Sequence, residues 1–492
     1  MPLLIQPKTL YNGCLNFVNF IIDLTCESIA EEDEAYLNFR IAKLQELLQQ
    51  LPIEVLDDIC ENRRLLAGRM STDVRVCEIK LRVYMHRQMR HFKIDTGSNE
   101  CHLKLDDRFW RSQIYLLSRI QVLDLHLVCT DEILEMISKF CPELEEINII
   151  SRVVRETSQE PPSTKIKQFV SDKGLTSLSK CTRLKRIILN KRQTLKAHLE
   201  RSVTAVGVKE VLKRLPSLEY INYSEMGEVF EDLRQITRLV AIYDSNPSSE
   251  SLFNALLYCP FVTQIFLSMS KELPDKEKRS EAIFNCLKRS ANQFTRIELQ
   301  GINTVGYLSE FLLKKGEYLR VLSLNDPKRV LTSKEVIYIG NLCANLTQLS
   351  IRDLSDENER QIIKPLPHAF RKLQHLNLSG KQWNFQKVLV PVLLKARHLE
   401  KLSLLNLHGM TFEINEVLQK VIKEGCLQNL RELYLRCGCF VSLSLLKKLL
   451  KKCKQIESIS LRPNVLLQKA DAEMLLNSYL EKNYKIVFNF DF

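Results

Sequence analysis

The sequence predicts an α/β solenoid, in which a short strand and a returning helix alternate along most of the 492 residues. Three observations support this prediction: an apolar pattern recurs at regular spacing, the segments between its copies have helical periodicity, and the chain contains only 14 Gly and 15 Pro. A chain of this length is long for one globular domain, so several domains or a repeat array are expected. The low Gly and Pro content excludes collagen-like and Pro/Gly-rich disordered chains.

The recurring pattern places apolar residues at the first, fourth and sixth positions of a short segment, as at Ile120, Leu123 and Leu125. Thirteen copies follow one another with a mean period of 28 residues. Their first positions are Ile120, Leu144, Leu184, Leu218, Leu239, Val262, Phe294, Leu319, Leu346, Leu373, Leu399, Leu430 and Ile456. This pattern and period are those of leucine-rich repeats, in which alternate strand residues face a stacked core and a helix returns the chain. The predicted fold is therefore a leucine-rich-repeat solenoid, or horseshoe.

The segments between the copies are predicted to be helices or surface loops. Apolar residues fall at helical spacing in residues 131–140 and again in residues 441–450. Two polar stretches, residues 151–164 and 270–279, are predicted to be loops. The alternating segment 484–492 is predicted to be a terminal strand that caps the array.

The chain contains 15 cysteines but no segment of the kind that directs export, so reduced thiols are expected rather than disulfides. Five cysteines lie three residues before a repeat, at the corner between helix and strand, where a small buried side chain is expected. These are Cys141, Cys181, Cys259, Cys343 and Cys453, and the same corner is expected to hold Leu215, Ile236, Phe370 and Ala396 in other copies.

The most apolar run near the start, residues 14–26, is interrupted by Asn16, Asn19 and Asp23. A membrane-spanning helix needs roughly 18 or more predominantly apolar residues. The run also lacks the basic flank and the small-residue cleavage site of a secretory signal. We therefore expect a cytoplasmic or nuclear protein that does not span a membrane.

The formal charge of +12 is unevenly distributed. Residues 1–61 contain 11 acidic and three basic side chains, a net charge of −8, and the remaining residues carry +20. A basic surface attracts nucleic acid, acidic protein segments or anionic lipid, but lysines spread over repeat faces usually only solvate a protein. No regular series of aromatic residues accompanies the basic ones on the predicted strands, so nucleic-acid binding is not favoured.

Sequence signatures of catalysis are absent. The chain contains no GxGxxG, GxxxxGKS/T, GxSxG or HExxH motif. His368, His375 and His398 lie near three successive predicted strands, and Cys437 and Cys439 lie close together, but neither group has the ligand spacing of a zinc site. We expect no enzymatic activity, no metal and no cofactor.

The acidic first 61 residues do not fit the repeat pattern. Within residues 9–18, TLYNGCLNFV, the apolar positions Leu10, Cys14 and Val18 are spaced four residues apart and follow Thr9. This spacing places one apolar stripe along a helix, which suits a contact in which the helix occupies a groove of a partner protein.

A second motif lies in residues 51–59, LPIEVLDDI, with apolar residues at Leu51, Val55 and Ile59. Proline is favoured in the first turn of a helix, so a helix is expected to open at Pro52. Val55 and Ile59, four residues apart, would share one face of that helix.

These two motifs, in this order and immediately before a repeat array, resemble those of the leucine-rich-repeat substrate receptors of cullin-2 ubiquitin ligases, including ZYG-eleven-like and PRAME-type proteins. The resemblance implies that residues 9–18 are a BC-box that docks elongin C, the partner of elongin B. Leu10 would then enter a pocket of elongin C and Thr9 would cap the helix. Cys14 and Val18 would line the same helical face.

The resemblance also implies that residues 51–59 are a cullin-2 box, in which Leu51, Pro52, Val55 and Ile59 contact the cullin. Residue 54 is Glu, whereas a cullin-5 box prefers Pro there, so cullin-2 is the better match.

Two alternatives remain. Residues 51–59 also resemble the opening of an F-box, which would dock Skp1 and cullin-1; Val76 and Cys77 lie near the usual Val-Cys pair of that family, but Lys80 replaces its tryptophan. This interpretation leaves residues 9–18 without a role. The other alternative is a leucine-rich-repeat scaffold or inhibitor without a ligase, in which the amino-terminal helices only cap the first repeat.

The sequence therefore predicts a helical adaptor-docking module at residues 1–62, a helical linker or cap at residues 63–115, and about 13–14 repeats with a terminal cap at residues 116–492. The predicted function is a non-catalytic substrate-recognition subunit. Its target protein would bind exposed strand residues, and the basic balance of the repeats favours an acidic recognition segment in that target. The candidate target-binding residues are Asn148, Arg296, Glu298, Arg352 and Arg436.

Overall fold

The chain folds into two compact units. The amino-terminal unit comprises Pro7–Ala241 with Tyr258–Phe261, and the carboxy-terminal unit contains Ile242–Leu257 with Val262–Phe492. The computed structural model describes residues 7–62, 73–93, 107–125, 128–149, 170–189, 203–270, 272–325, 331–354, 364–380, 385–405, 413–436, 441–461, 470, 474 and 487–490.

The amino-terminal unit begins with helices and continues as alternating strands and helices. Its helices are α1 (Pro7–Ile29), α2 (Glu34–Leu48), α3 (Ile53–Asn62), α4 (Val74–Tyr84), α5 (Asp107–Gln113), α6 (Asp131–Phe140), α7 (Asp172–Ser177), α8 (Ala205–Arg214) and α9 (Met226–Asp232). Its strands are β1 (His91–Lys93), β2 (Val122–Asp124), β3 (Glu146–Asn148), β4 (Arg186–Ile188) and β5 (Tyr220–Ile221).

The carboxy-terminal unit alternates strand and helix throughout. Its helices are α10 (Ser249–Tyr258), α11 (Lys276–Arg289), α12 (Leu308–Lys315), α13 (Ser333–Leu342), α14 (Phe385–Lys395), α15 (Glu413–Lys423) and α16 (Leu443–Lys452). Its strands are β6 (Ala241–Ser245), β7 (Gln264–Ser268), β8 (Arg296–Gln300), β9 (Val321–Asn325), β10 (Gln348–Leu354), β11 (His375–Gly380), β12 (Lys401–Leu405), β13 (Glu432–Arg436), β14 (Ser458–Leu461) and β15 (Val487–Phe490).

The described strands form one sheet in each unit, ordered along the chain from β1 to β5 and from β6 to β15. Pairing is parallel and in register, so that Leu349, Leu376 and Leu402 lie opposite one another on successive strands. Strands β2 to β14 fall in the thirteen predicted repeats, whose apolar first and fourth positions are buried. The predicted α/β leucine-rich-repeat fold is confirmed, because the buried residues of each strand stack on those of the next repeat.

One further copy of the pattern precedes the predicted array. Strand β1 pairs with β2, with Phe92 opposite Leu123. Met89 and Phe92 are buried at the first and fourth positions of this copy. The sequence analysis missed it, because Met and Phe replace the usual Leu and a helical linker was predicted there. Helices α4 and α5 lie in the same predicted linker.

Side-chain hydrogen bonds join the helices of successive repeats at their amino-terminal ends. Asp131 of α6 accepts hydrogen bonds from the backbone N–H and the hydroxyl of Ser171, at 2.7 and 2.5 Å. Asp172 of α7 accepts the equivalent pair from Thr204, at 2.8 and 2.6 Å. Ser171 and Thr204 are the N-cap residues of α7 and α8. Each N-cap hydroxyl therefore accepts a hydrogen bond from a backbone N–H group of its own helix. The same N-cap residue donates hydrogen bonds to the aspartate of the preceding helix.

The corner between helix and strand is filled as predicted in most copies. The buried corner residues are Cys141, Cys181, Cys259, Cys343, Cys453, Leu215, Phe370 and Ala396. Burial raises the pKa of the Cys181 thiol to about 11 and that of the Cys141 thiol to about 12, so these thiols stay protonated at neutral pH. The prediction for Ile236 was wrong: its side chain is 66% exposed, and Thr237 is buried beside it.

The predicted end of the array is present as β15, which pairs with β14, with Phe488 opposite Ile459. Residues 151–164, predicted to be a loop, lie outside the described residues. The loop predicted at residues 270–279 was only partly right, because α11 already begins at Lys276.

Gly207→Ala is expected to destabilise the amino-terminal unit. A Cβ atom at Gly207 would lie 2.1 Å from Oδ1 of Asp172, the oxygen that accepts the backbone hydrogen bond of Thr204. Overpacking of this kind costs about 1–3 kcal/mol, which urea unfolding would measure.

Gly13→Ala in α1 is the matched control, because a Cβ atom at Gly13 would meet no heavy atom within 4 Å. Alanine there is expected to stabilise the helix by about 1 kcal/mol. Equal changes in the free energy of unfolding for the two variants would contradict the capping arrangement.

Candidate functional site

Helix α1 has a buried face that packs against α3 and α4. Leu15, Ile22, Cys26 and Ile29 on this face are nearly inaccessible, and Asn19 lies among them. Their spacing of three and four residues places them along one side of the helix. This side attaches α1 to the rest of the amino-terminal unit.

The opposite side of α1 is also apolar, but it faces solvent. Leu10 is 73% exposed and Phe17 is 63% exposed, and Ile21 and Leu24 are nearly half exposed. Cys14 is exposed between them. We call these five residues the outer stripe of α1. A continuous exposed apolar stripe of this kind is characteristic of a surface that binds another protein.

The first sequence motif coincides with the start of this stripe. Leu10 and Cys14 lie on it, whereas Val18 is partly buried. The side chain of Thr9 lies outside the described part of the structure. Sequence analysis missed Phe17, Ile21 and Leu24, which continue the stripe at helical spacing and were detectable by that periodicity.

The second motif lies at the start of α3. Leu51 and Pro52 are exposed and Val55 is partly exposed, but Ile59 is only 1% exposed. Pro52 precedes the first helical residue, and its carbonyl accepts hydrogen bonds from the N–H groups of Val55 and Leu56. Three of the four predicted cullin contacts are thus accessible, whereas Ile59 belongs to the helical core in this structure.

Buried polar contacts fix α1 against α3 and α4. Asn19 donates to the carbonyl of Ile59 at 3.0 Å and accepts a hydrogen bond from the hydroxyl of Tyr84 at 2.8 Å. Near the start of the helix, the Tyr11 hydroxyl donates to Asp58 at 2.7 Å. These contacts determine which side of α1 faces the interior, because a rotation of the helix would leave buried polar groups unsatisfied.

An ion pair inside the helical module joins α4 to α1. The ammonium of Lys80 is buried and lies 3.0 Å from a carboxylate oxygen of Asp23 and 3.7 Å from one of Glu27. Burial raises the pKa of the neighbouring Cys26 thiol to about 12, although the charge of Lys80 acts in the opposite direction. Lys80 therefore has a structural partner in this chain, at the position where an F-box has tryptophan.

Helix α2 also presents apolar side chains to solvent. Tyr36 and Phe39 are each 66% exposed, and Leu47 is more than half exposed, whereas Leu37 and Ile41 on the inner side are buried. The sequence analysis did not identify this surface.

His86 is buried after the end of α4, in surroundings that favour the neutral form of its ring. Its Nδ1 atom accepts a hydrogen bond from the backbone N–H of Gln88 at 3.3 Å. Burial lowers the pKa of His86, and the negative charge of Asp57 only partly offsets this effect. Protonation of His86 therefore opposes folding.

The predicted target-binding residues of β8 are engaged with each other. The guanidinium of Arg296 forms an ion pair with Glu298, with the Nε atom 2.9 Å from a carboxylate oxygen. The same guanidinium lies 5.2 Å from the ring centre of Phe266, which stacks on Tyr243 at 4.2 Å. This part of the strand face is therefore an aromatic surface, and the carboxylate of Glu298 neutralises the positive charge of the nearby Arg296.

A similar arrangement lies on β12 and β13. Lys401 donates to Glu432 at 2.6 Å and lies 4.8 Å from the ring centre of Tyr434. The hydrogen bond from Lys401 is the main cause that lowers the pKa of the Glu432 carboxyl. The cation on this part of the strand face is therefore also paired.

The remaining predicted target-binding residues lie on other strands, far apart in the chain. Asn148 is partly buried at the end of β3, and Arg352 is exposed on β10. Arg436 ends β13, but its side chain lies outside the described residues.

In the part of the chain that the structure describes, no group of three or more His, Cys, Asp and Glu side chains is arranged to hold a metal ion. None of the described helices combines the length and the apolar character needed to cross a membrane.

Lys80→Met is expected to destabilise the amino-terminal helices by about 3 kcal/mol, because Asp23 and Glu27 would lose the cation that compensates their partly buried charge. Urea unfolding monitored by circular dichroism measures the change.

Lys43→Met is the control, since Lys43 forms an exposed pair with Glu46 at 3.9 Å. Its loss is expected to cost less than about 1 kcal/mol. A result in which both variants lose the same stability would show that the pair at Lys80 is not important for folding.

His86→Gln is expected to reduce the loss of stability at acidic pH. Because folding lowers the pKa of His86, the contribution of the neutral ring is fully present above its unfolded value of about 6.5 and declines as the pH falls below it. The free energy of unfolding at about pH 7.5 and about pH 5 should therefore differ more in the natural chain than in the variant. If the free energy of unfolding changes by the same amount between the two pH values in the natural chain and in the variant, His86 does not have this role.

No protein-family model and no curated protein sequence matches this chain. Among solved structures, it is similar to the crystal structure of the Rad7 and Elc1 complex in yeast, with a TM-score of 0.42 and 15% identity, over 89% of this chain and 95% of that chain. It is also similar to the leucine-rich-repeat-containing protein LegL7 from Legionella pneumophila, with a TM-score of 0.32 and 12% identity, over 68% of this chain and 96% of that chain. At these identities the likeness concerns the fold alone. The parallel strands, the helical layer and the buried repeat residues give this chain an α/β leucine-rich-repeat fold.

Proposed function

We propose that the chain is a non-catalytic substrate-recognition subunit of a cullin-RING ubiquitin ligase. Its amino-terminal helices would dock elongin C, with elongin B, and cullin-2, and its repeats would hold a target protein. The observation that carries the proposal is the outer stripe of α1, which faces solvent and begins at the residues of the BC-box-like motif.

The outer stripe has the properties of a helix that binds in a groove. Its residues follow one another at intervals of three or four, so they lie along one side of α1 over about four turns of the helix. Leu10 is 73% exposed and is therefore accessible enough to act as an anchor residue. Leaving such a stripe in water is unfavourable by about 25 cal/mol per Å² of apolar surface, so a partner that covers it gains this free energy.

The stripe also favours a docking helix over a helix that only caps the repeats. A cap would bury all of its apolar side chains within the protein, and α1 does so with Leu15 and Ile22 on its other face, which packs against α3 and α4. The outer stripe is additional to that packing. An additional apolar face without a folding role supports binding to a separate protein.

The cullin contact would involve the start of α3. Leu51 and Pro52 are accessible there, and Val55 is partly so. Ile59 would act indirectly, by holding α3 against α1 through its carbonyl contact with Asn19.

Ubiquitin transfer would be carried out by the other subunits of the ligase, and this chain would supply binding and orientation alone. A cytoplasmic or nuclear location is part of the proposal. It is consistent with the free thiols of the cysteines whose side chains the structure describes.

The test is a pull-down from cell extract with the intact chain and with the double variant Leu10→Ser, Cys14→Lys, probed for elongin C, cullin-2 and Skp1. We expect the intact chain to retain elongin C and cullin-2, and the double variant to lose at least nine-tenths of both, on the order of the loss that follows removal of a central anchor. Both substituted side chains are exposed, so folding should be preserved.

The matched control is Phe253→Ser, Leu257→Lys on α10, which changes two apolar residues that are more than half exposed in the other unit. It should retain both proteins. Recovery of Skp1 without elongin C would replace the proposal by an F-box receptor that uses Leu51 and Pro52. If the intact chain retains none of the three proteins, the remaining interpretation is a repeat scaffold that has no role in a ligase.

A further inference from the structure

A group of exposed lysines lies on the last two described helices of the carboxy-terminal unit. Each side chain is exposed, and each lysine lies in the middle or the last part of its helix or immediately after the helix. We call this group the lysine face. Its members are Lys420, Lys423, Lys447, Lys448, Lys451, Lys452 and Lys454.

The lysines of the two helices occupy equivalent positions. The buried pairs Val417–Leu418 on α15 and Leu445–Leu446 on α16 mark the same point of successive repeats. Counting from them, Lys420 corresponds to Lys448. By the same count Lys423 corresponds to Lys451. Because α15 and α16 pack side by side, these residues form two rows of charge separated by about 10 Å, the usual distance between packed helices.

The positive charges of the lysine face are not neutralised by neighbouring carboxylates. Within the described residues, none of the seven lysines has an acidic oxygen within 4.0 Å, although Glu416 and Glu424 are exposed on α15. By contrast, Arg296 and Lys401 on the strand face are paired. The negative end of the helix dipole stabilises cations only in the last turn, and by less than about 1 kcal/mol each, so it does not account for seven.

The surroundings of the lysines define the class of ligand. Among the described residues between 367 and 473, no large apolar or aromatic side chain is exposed. Insertion into a membrane surface needs exposed apolar side chains, and binding of single-stranded nucleic acid uses aromatic side chains for base stacking. A lysine-rich surface without exposed apolar or aromatic side chains among the described residues of α15 and α16 suits carboxylates, which require only charge and hydrogen-bond donors.

We propose that the lysine face binds an acidic segment of a polypeptide. In a segment with polyproline II conformation, residues three apart lie on the same side and are separated by about 9 Å, close to the distance between the two rows of lysines. Acidic side chains at every third position would therefore meet both helices. An acidic segment of this kind would be the class of target that the proposed function leaves open. Only the statement that the bound protein becomes a ubiquitination substrate rests on that proposed function.

The test measures binding of purified full-length protein to a fluorescein-labelled sixteen-residue peptide with Glu or Asp at every third position and Ser or Gly elsewhere. Fluorescence anisotropy gives the dissociation constant without any ligase subunit, so the outcome is independent of elongin binding. The quadruple variant Lys420→Gln, Lys423→Gln, Lys448→Gln, Lys451→Gln should bind at least tenfold more weakly. Affinity for the natural chain should fall as salt is raised from about 50 to about 300 mM.

The matched control removes the same charge from exposed lysines elsewhere in the carboxy-terminal unit: Lys278→Gln, Lys314→Gln, Lys334→Gln, Lys364→Gln. Its dissociation constant should stay within twofold of that of the natural chain. The proposal is overturned if the natural chain does not bind the peptide, or if the control loses as much affinity as the quadruple variant. It is also overturned if a single-stranded oligonucleotide of equal charge binds more tightly than the peptide.

Discussion

The stacking of buried repeat residues is the interaction on which the rest of the structure depends. A single strand and a single helix cannot by themselves shield their apolar side chains from water. Each repeat is therefore stable only when it packs against its neighbours. The parallel register, with Leu349, Leu376 and Leu402 opposite one another, follows from this requirement. The hydrogen bonds that Asp131 and Asp172 accept from the N-cap residues of the following helices add a directional contact between successive repeats.

The amino-terminal helices are subject to a second constraint, since α1 has apolar side chains on two opposite faces. The hydrophobic effect is non-directional and does not by itself select the face that is buried. The polar contacts of Asn19 and the ion pair of Lys80 make the selection, because both are satisfied in only one orientation of the helix. The outer stripe with Leu10 and Phe17 is thereby left exposed and available to a partner.

Charge is distributed differently on the two layers of the carboxy-terminal unit. On the strands, Arg296 and Lys401 are paired with carboxylates and packed beside aromatic rings, so the strand face has little unpaired charge at these places. On helices α15 and α16, lysines at equivalent positions repel one another, and within the described part of the chain none of them has an acidic oxygen within 4.0 Å. Such repulsion opposes stability, and a bound anionic segment would relieve it.

The sequence by itself determined the fold class and the positions of thirteen strands, because a period of 28 residues is a local property that tertiary contacts reinforce. It also located Leu10 and Cys14, since helical spacing is visible along the chain. Only the tertiary structure decided that Ile59 is buried, that Val18 is partly buried, and that Phe17, Ile21 and Leu24 face solvent. The physical reason is that a helix with two apolar faces contains no local information about which face is covered; contacts with α3 and α4, distant in sequence, make that choice.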